Sequence, residues 1–125
     1  MVAARPARVL LIDDDPNLGE IVSALVATFE YEFQGADGQS GLARFDSGQW
    51  DLVLIDLAMP EVSGWEVVET IRQRAPTIPV VLLTELADSA LLSRARGCRV
   101  RVIVKPFRLQ TLKATLVEAL YAQIG

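Results

Sequence analysis

The sequence predicts an α/β fold, in which one parallel β-sheet carries helices on both faces. Short apolar runs alternate with stretches whose apolar residues recur at helical spacing, giving five strand–helix units in 125 residues. Right-handed crossovers then favour a doubly wound sheet. A chain that is 51% apolar and 22% charged is typical of one globular domain over residues 1–125, and we expect its core to span about 8–122.

The predicted strands are short apolar segments. Two of them are continuous apolar runs that end in aspartate, as expected of strands buried on both faces. In the fourth, Pro79 lies near the start, where a missing N–H matters least. The five segments are Arg8–Asp13, Glu32–Ala36, Asp51–Asp56, Ile78–Thr84 and Val100–Val104.

The predicted helices each carry one apolar stripe that would face the sheet. Asp15 is a suitable N-cap for the first helix, and Pro16 is favoured at the first helical position. Gly97 is expected to end the fourth helix, since glycine favours the left-handed C-cap. The helices run over Pro16–Phe29, Asp37–Phe45, Trp65–Arg74, Ser89–Arg96 and Arg108–Ala122, the last with its stripe on Leu109, Leu112, Leu116, Val117 and Leu120.

The composition excludes several kinds of site. The chain has no histidine, so it offers no imidazole ligand or base, and its single cysteine, Cys98, excludes a disulfide framework and fits a reducing compartment. No apolar run approaches the roughly 18 residues that cross a bilayer. The segment Met1–Arg8 lacks the apolar core of a signal peptide. We therefore expect a cytoplasmic protein without a membrane partner.

Charge is distributed unevenly along the chain. Residues 1–66 hold 12 acids and 3 bases, whereas residues 67–125 hold 4 acids and 9 bases. This pattern predicts a cation site in the acidic half and an anionic or acidic partner for the basic half, unless both are simply solvated surfaces. The net charge of −4 argues against direct binding to nucleic acid.

Polar side chains follow the predicted strands at their carboxyl ends, where ligands bind in open α/β sheets. Asp13 and Asp14 follow the first strand, Asp56 ends the third, Thr84 the fourth, and Lys105 follows the fifth. Neighbouring carboxylates repel one another unless a proton or a divalent cation joins them. Because Mg²⁺ prefers oxygen ligands, the three aspartates predict a magnesium site. An aspartate beside a metal and a lysine is a credible nucleophile for phosphoryl transfer.

Four motifs in this order resemble the receiver domain of bacterial two-component response regulators, both the stand-alone chemotaxis-type regulators and the receivers of hybrid kinases. They are Leu10–Pro16, Leu52–Asp56 with Met59, Pro60 and Gly64, Val80–Thr84, and Val104–Phe107. The resemblance covers nearly the whole chain. It implies a flavodoxin-like, doubly wound, five-stranded parallel sheet in the order 2-1-3-4-5, with five helices.

The resemblance also implies a role for each strand-end residue. Asp56 is expected to accept a phosphoryl group from a histidine kinase or phosphotransfer protein. Asp13 and Asp14 are expected to hold Mg²⁺, directly or through water, together with Asp56 and the backbone carbonyl of Ala58.

The remaining implied roles concern switching. Thr84 is expected to bond the phosphoryl group, Lys105 to neutralise its charge, and the bond between Lys105 and Pro106 to be cis. The output is expected at the face of the fourth helix, fifth strand and fifth helix, which would bind an unknown effector protein or a second copy of the chain. Such a domain is a signalling phosphoacceptor and not an enzyme with an external substrate.

The sequence departs from the family pattern at several positions. Val102 stands where receivers commonly have Tyr or Phe, which puts the usual coupling between Thr84 and an aromatic ring in doubt. Ala58 and Leu86 are apolar where polar side chains often help water attack the phosphoryl group, so we expect a long-lived phosphoprotein. Six bases lie within fifteen residues and could form a basic output surface: Arg94, Arg96, Arg99, Arg101, Lys105 and Arg108.

Three other functions stay open on the sequence. Asp13-x-Asp15 is similar to the nucleophile–acid pair of haloacid-dehalogenase-type phosphatases, although Glu118 is the only acid after Lys105. A nucleotide or flavin binder is less consistent, because the first strand runs into acids and not a glycine-rich loop. A receiver that works without phosphorylation is also possible, although every phosphorylation residue is present.

Overall fold

Five segments rich in valine, leucine and isoleucine form one parallel sheet in the computed structural model, which describes residues 6–124 and their side chains as far as Tyr121. The strands are β1 (Arg8–Ile12), β2 (Glu32–Ala36), β3 (Leu52–Asp56), β4 (Val80–Thr84) and β5 (Arg101–Val104). The helices are α1 (Pro16–Ala27), α2 (Gly41–Asp46), α3 (Gly64–Arg74), α4 (Ser89–Cys98) and α5 (Leu109–Ile124). The strand order β2-β1-β3-β4-β5 confirms the predicted doubly wound topology.

The sheet separates two apolar cores, because successive residues of a strand point to opposite faces. On β1, Val9 and Leu11 pack with α1 and α5, whereas Leu10 and Ile12 pack with α2, α3 and α4. Every residue of β3 and β4 is buried, which explains why these strands are apolar up to their last residues, Asp56 and Thr84, and show no polar alternation.

The N-terminus of α1 agrees with the sequence prediction. The Asp15 side chain caps the helix by accepting the backbone N–H of Asn17 at 2.9 Å, and Pro16 is the first helical residue. The start of α2 differs from the prediction, because the helix begins at Gly41 and not at Asp37. There, the Asp37 carboxylate accepts both the backbone N–H and the hydroxyl of Ser40, which closes a turn before the helix.

The end of α4 also differs from the prediction, since Gly97 is not its C-cap. The helix continues to Cys98, and Arg99 takes the left-handed conformation with φ of 58°. Arg72 of α3 stabilises this end: its Nε donates to the Cys98 carbonyl at 2.7 Å and its Nη2 to the Arg99 carbonyl at 2.9 Å. A distant side chain thus satisfies terminal carbonyls and holds a conformation that glycine would adopt more easily.

The apolar stripe of α5 is narrower than predicted. Leu112, Leu116 and Leu120 are buried, but Leu109 at the first turn is 54% exposed and Val117 is partly buried. On α1, Ile21 is likewise 48% exposed, although its helical spacing places it with the apolar residues that are buried.

Among residues 6–124, none of the helices combines the length and apolar character that a bilayer crossing requires.

Gly64, the first residue of α3, packs directly against the backbone that follows β3. A Cβ atom built on Gly64 would lie 2.7 Å from the Leu57 Cα and 2.9 Å from the Asp56 carbonyl oxygen. Neither atom can move aside without displacing the end of β3. A residue without a side chain is therefore required for α3 to start beside Asp56.

We predict that Gly64→Ala destabilises the protein by about 2 kcal/mol, because overpacking here moves the main chain. The matched control is Gly97→Ala in α4, where a Cβ meets nothing within 4 Å. That variant should be more stable than wild type by about 0.5–1 kcal/mol, owing to the better helix propensity of alanine. Urea unfolding measures both, and similar changes in the two variants would contradict the packing argument.

Candidate functional site

The sheet register brings the carboxyl ends of its central strands level with one another. Asp56 is paired with Leu83 of β4, and Thr84 is paired with Val104 of β5. Backbone hydrogen bonds continue past the strands, since the N–H of Lys105 donates to the Thr84 carbonyl at 2.7 Å. These pairings place the side chains of Asp56, Thr84 and Lys105 along a single edge of the sheet.

Asp56 is the centre of this group and is only 4% exposed. Lys105 Nζ lies 2.8 Å from its Oδ2, and the backbone N–H of Ala58 donates to its Oδ1 at 3.0 Å. A buried carboxylate is tolerated when an opposite charge and hydrogen bonds replace its water. Asp56 and Thr84 are the two buried polar residues of the described chain, which distinguishes this edge from the rest of the molecule.

Asp13 lies against Asp56 and carries an oxygen without a partner. Its Oδ1 accepts the backbone N–H of Asp15 at 3.0 Å, whereas its buried Oδ2 has no hydrogen-bond partner among the described residues. Burial raises the pKa of Asp13 from 3.8 to about 6; the Asp15 N–H opposes this shift, and the nearby Asp56 carboxylate adds to it. The pair therefore has more negative charge than Lys105 alone balances.

Asp14 is exposed and bonds a different loop. Its Oδ1 accepts the backbone N–H of Gly38 at 2.8 Å, which links the loop after β1 to the loop after β2. Within residues 6–124, no three acidic, cysteine or histidine side chains converge in the manner of metal ligands.

The residues of this edge fit a magnesium ion. Mg²⁺ commonly takes one or two carboxylates and completes its octahedron with water and substrate oxygens. The unpartnered Oδ2 of Asp13, beside the Asp56 carboxylate, is the kind of buried atom that a hard cation satisfies. Asp14, directly or through water, and the Ala58 carbonyl remain predicted ligands.

Thr84 is bonded within its own loop. Its Oγ1 donates to the Leu86 carbonyl at 3.0 Å and accepts the Leu86 N–H at 3.2 Å. The Leu86 side chain is 67% exposed. Val102 pairs with Leu82 and packs, partly buried, against the core under α3 and α4. Val102 thus lies two residues before Val104, the register partner of Thr84, and provides an aliphatic side chain there, as the sequence indicates.

The bond between Lys105 and Pro106 is cis, as the resemblance implies. Next to Lys105, an open groove of about 610 Å³ runs between the start of α1 and the loop after β5. Ile21 and Phe107 are among its apolar lining residues. Sequence patterns do not reveal this groove, because the helical spacing of the apolar residues in α1 predicts a buried position for Ile21.

The chain matches the family model of the response regulator receiver domain over residues 9–117. It belongs to this family. The match spans all four motifs and every strand, so the haloacid-dehalogenase and nucleotide-binding alternatives are set aside.

Curated relatives of this receiver domain include transcriptional regulatory proteins. It is 33% identical over 121 residues to the regulatory protein CiaR of Streptococcus pneumoniae, covering 94% of this chain and 53% of CiaR. It is 32% identical over 115 residues to TrcR of Mycobacterium tuberculosis, covering 89% of this chain and 44% of TrcR. The chain thus spans about half the length of the curated relatives it matches.

Solved structures of receivers are also similar to this one. The chemotaxis protein CheY4 of Vibrio cholerae has a TM-score of 0.85 at 28% identity, covering 92% of this chain and 99% of CheY4. The receiver domain of an HD domain-containing protein from Pseudomonas fluorescens Pf-5 has a TM-score of 0.87 at 26% identity, covering 98% of this chain and 93% of that one. These likenesses confirm the predicted flavodoxin-like fold.

We predict that Asp13→Asn stabilises the metal-free receiver by about 1–2 kcal/mol at pH 8. Because the pKa of Asp13 is raised from 3.8 to about 6 in the folded protein, its charged carboxylate lowers the free energy of unfolding. This destabilisation is absent below pH 3.8, grows as the pH rises, and is complete above pH 6. The magnitude is reduced because the side chain is partly exposed. Urea unfolding in EDTA at pH 8 and pH 4 measures the change.

The control for this prediction is Asp15→Asn, since asparagine also caps a helix. This variant removes a nearby negative charge that is exposed, and it should alter stability by less than about 0.5 kcal/mol at both pH values. An equal gain from both variants would show that general charge repulsion, and not the burial of Asp13, sets the effect.

Proposed function

We propose that Asp56 accepts a phosphoryl group from a phosphohistidine of a partner kinase or phosphotransfer protein, and that the domain acts as a conformational switch. The observation that carries this proposal is the buried Asp56 carboxylate, bonded to Lys105 and packed beside an unpartnered oxygen of Asp13. Most carboxylates are solvated, so one held in this way is a functional candidate.

The chemical step is a displacement at phosphorus. An Asp56 carboxylate oxygen forms the new P–O bond while the P–N bond to the donor histidine breaks, and the histidine nitrogen keeps the electron pair. Lys105 already lies 2.8 Å from Oδ2 and can follow the negative charge onto the phosphoryl oxygens. The Ala58 N–H, which donates to Oδ1, holds the carboxylate in a fixed orientation.

A divalent cation completes the site. Asp13, Asp56 and the Ala58 carbonyl would hold Mg²⁺, with Asp14 linked through water. When bound, Mg²⁺ supplies positive charge to the transferring phosphoryl oxygens. Ionised Asp13 supplies the binding charge, and Lys105 supplies the second positive group at the site.

The switch begins at Thr84. Its hydroxyl now bonds the Leu86 carbonyl, and a phosphoryl group on Asp56 offers a stronger, charged acceptor. Moving the hydroxyl frees Leu86 and the loop that leads into α4. Phosphorylation thereby shifts the population of the α4-β5-α5 face, which acts on a partner and turns over no external substrate.

The partner of this face is an effector protein or a second copy of the domain. The exposed apolar residues Leu92 and Val104 lie on α4 and β5 and suit such contacts. The six-base cluster supports a basic output surface only in part, because Lys105 bonds Asp56 and Arg94 bonds Glu69 of α3 at 2.7 Å. The net charge of −4 argues against direct DNA binding by this domain, for which an added module would be needed.

We predict that incubation with acetyl phosphate and Mg²⁺ adds one phosphoryl group per chain, on Asp56. Intact-mass spectrometry counts the group, and borohydride reduction followed by peptide mapping locates it. Asp56→Asn should abolish the addition, and Lys105→Ala should slow it by about tenfold or more, in the range of other single electrostatic groups. With Ala58 and Leu86 apolar, decay of the label should take far longer than seconds.

The matched control is Asp88→Asn at the N-cap of α4, where asparagine preserves the cap to the Leu91 N–H. It should be phosphorylated like wild type. Phosphorylation on Asp13 would indicate phosphatase-like chemistry. A folded, Mg²⁺-binding protein that resists every small phosphodonor would indicate a receiver that works without phosphorylation.

A further inference from the structure

A cavity of about 480 Å³ opens at the edge of the sheet opposite Asp56. Val80 and Arg101, the first residues of β4 and β5, line it, whereas the phosphorylation site lies at the other ends of these strands. A five-residue strand separates its ends by about 13 Å. The cavity is therefore a separate place on the molecule and belongs to no part of the site described above.

Three arginines line this cavity: Arg72, Arg99 and Arg101. Arg72 is held firmly, because four of its five N–H groups face the carbonyls of Ala75, Ile78, Cys98 and Arg99. The arginine is thus already ordered and keeps one N–H without an acceptor among the described residues. Arg99 uses one N–H on the Pro76 carbonyl at 3.2 Å, which leaves most of its donors available.

Among the side chains that the structure describes, as far as Tyr121, no carboxylate lines the cavity. The nearest acid that bonds a lining arginine is Glu118, which is 3.6 Å from Arg101 and 67% exposed. Burial, followed by the charge of Arg99, lowers the pKa of Arg72, as expected where positive charge exceeds negative. The carbonyls at the ends of α3 and α4 would repel an anion, but Arg72 already bonds them.

We propose that this cavity binds a small molecule carrying two or more phosphate groups, of the nucleoside diphosphate class. The guanidinium groups of Arg99 and Arg101 bind the phosphates through bidentate hydrogen bonds. Pro76, Pro79 and Ala119 supply apolar contacts for the body of the ligand. The volume lies within the roughly 300–1,000 Å³ of small-molecule sites.

Ligand binding in this cavity does not depend on the phosphorylation of Asp56. The ligand needs neither Mg²⁺ nor the residues of the carboxyl edge, so either site can fail without the other. Because the cavity is formed by the starts of β4 and β5 and the end of α4, the ligand contacts the same elements that carry the output face.

The test is a titration of the ¹⁵N-labelled domain with ADP in EDTA, followed by amide shifts, with pyrophosphate and adenosine as further probes. With ADP, we expect saturable amide shifts at Thr77, Val80, Arg99 and Arg101. Adenosine at the same concentrations should cause none. The double variant Arg99→Ala, Arg101→Ala should weaken ADP binding about tenfold or more, since charge-assisted hydrogen bonds contribute strongly. If pyrophosphate bound as tightly as ADP does, the phosphate contacts would be confirmed, and the adenosine part of ADP would contribute no affinity.

The matched control is Arg96→Ala, Arg108→Ala, which removes the same charge from residues that do not line the cavity. This control should change ADP affinity by less than twofold. Glu118→Gln frees Arg101 and should tighten binding about threefold, a gain that misfolding cannot mimic. Equal losses in the two double variants, shifts that never saturate, or tight binding of adenosine would each overturn the proposal.

Discussion

The ion pair between Lys105 Nζ and Asp56 Oδ2, 2.8 Å apart, is the interaction on which the rest of the site depends. Asp56 ends a strand that is buried at every residue, so its carboxylate is stable there only with a positive partner. That partner comes from the end of β5, two strands away in a sheet ordered β2-β1-β3-β4-β5. The doubly wound topology thus brings Lys105 next to Asp56. The positive charge of Lys105 in turn allows the Asp56 carboxylate to be buried in its reactive, charged form.

Asp13 adds a second carboxylate to this ion pair. Its carboxyl group brings a second acid against Asp56, with a pKa near 6 and an oxygen that lacks a partner. Without an added cation, the folded protein carries this repulsion, and binding a cation or rearranging the loops relieves it. Thr84 bonds its own loop in the meantime. A bound cation would therefore change the electrostatic energy of this edge more than that of any exposed acid, which is the property that the proposed switch uses.

Sequence patterns predicted the strands and the gathering of Asp56, Thr84 and Lys105, because these follow from apolar runs and from where strands end, whereas the strand order was implied by the resemblance to receiver domains. They failed where contacts between distant segments decide the outcome. Arg72 holds Arg99 in a left-handed cap, although Gly97 was the better local candidate. Asp14 accepts the Gly38 N–H, and Arg94 pairs with Glu69 of α3, two contacts that the neighbouring residues in the sequence do not indicate. No local pattern encodes these pairings.

The most direct test of this account is the affinity for Mg²⁺ as a function of pH, measured by calorimetry on the unphosphorylated domain. The account predicts one bound ion, whose affinity rises between pH 5 and pH 7 as Asp13, with its pKa of about 6, loses its proton, and then levels off. Asp13→Asn should bind weakly at every pH and show little of this rise. An affinity that is independent of pH in the wild type, or unchanged in Asp13→Asn, would contradict the central claim.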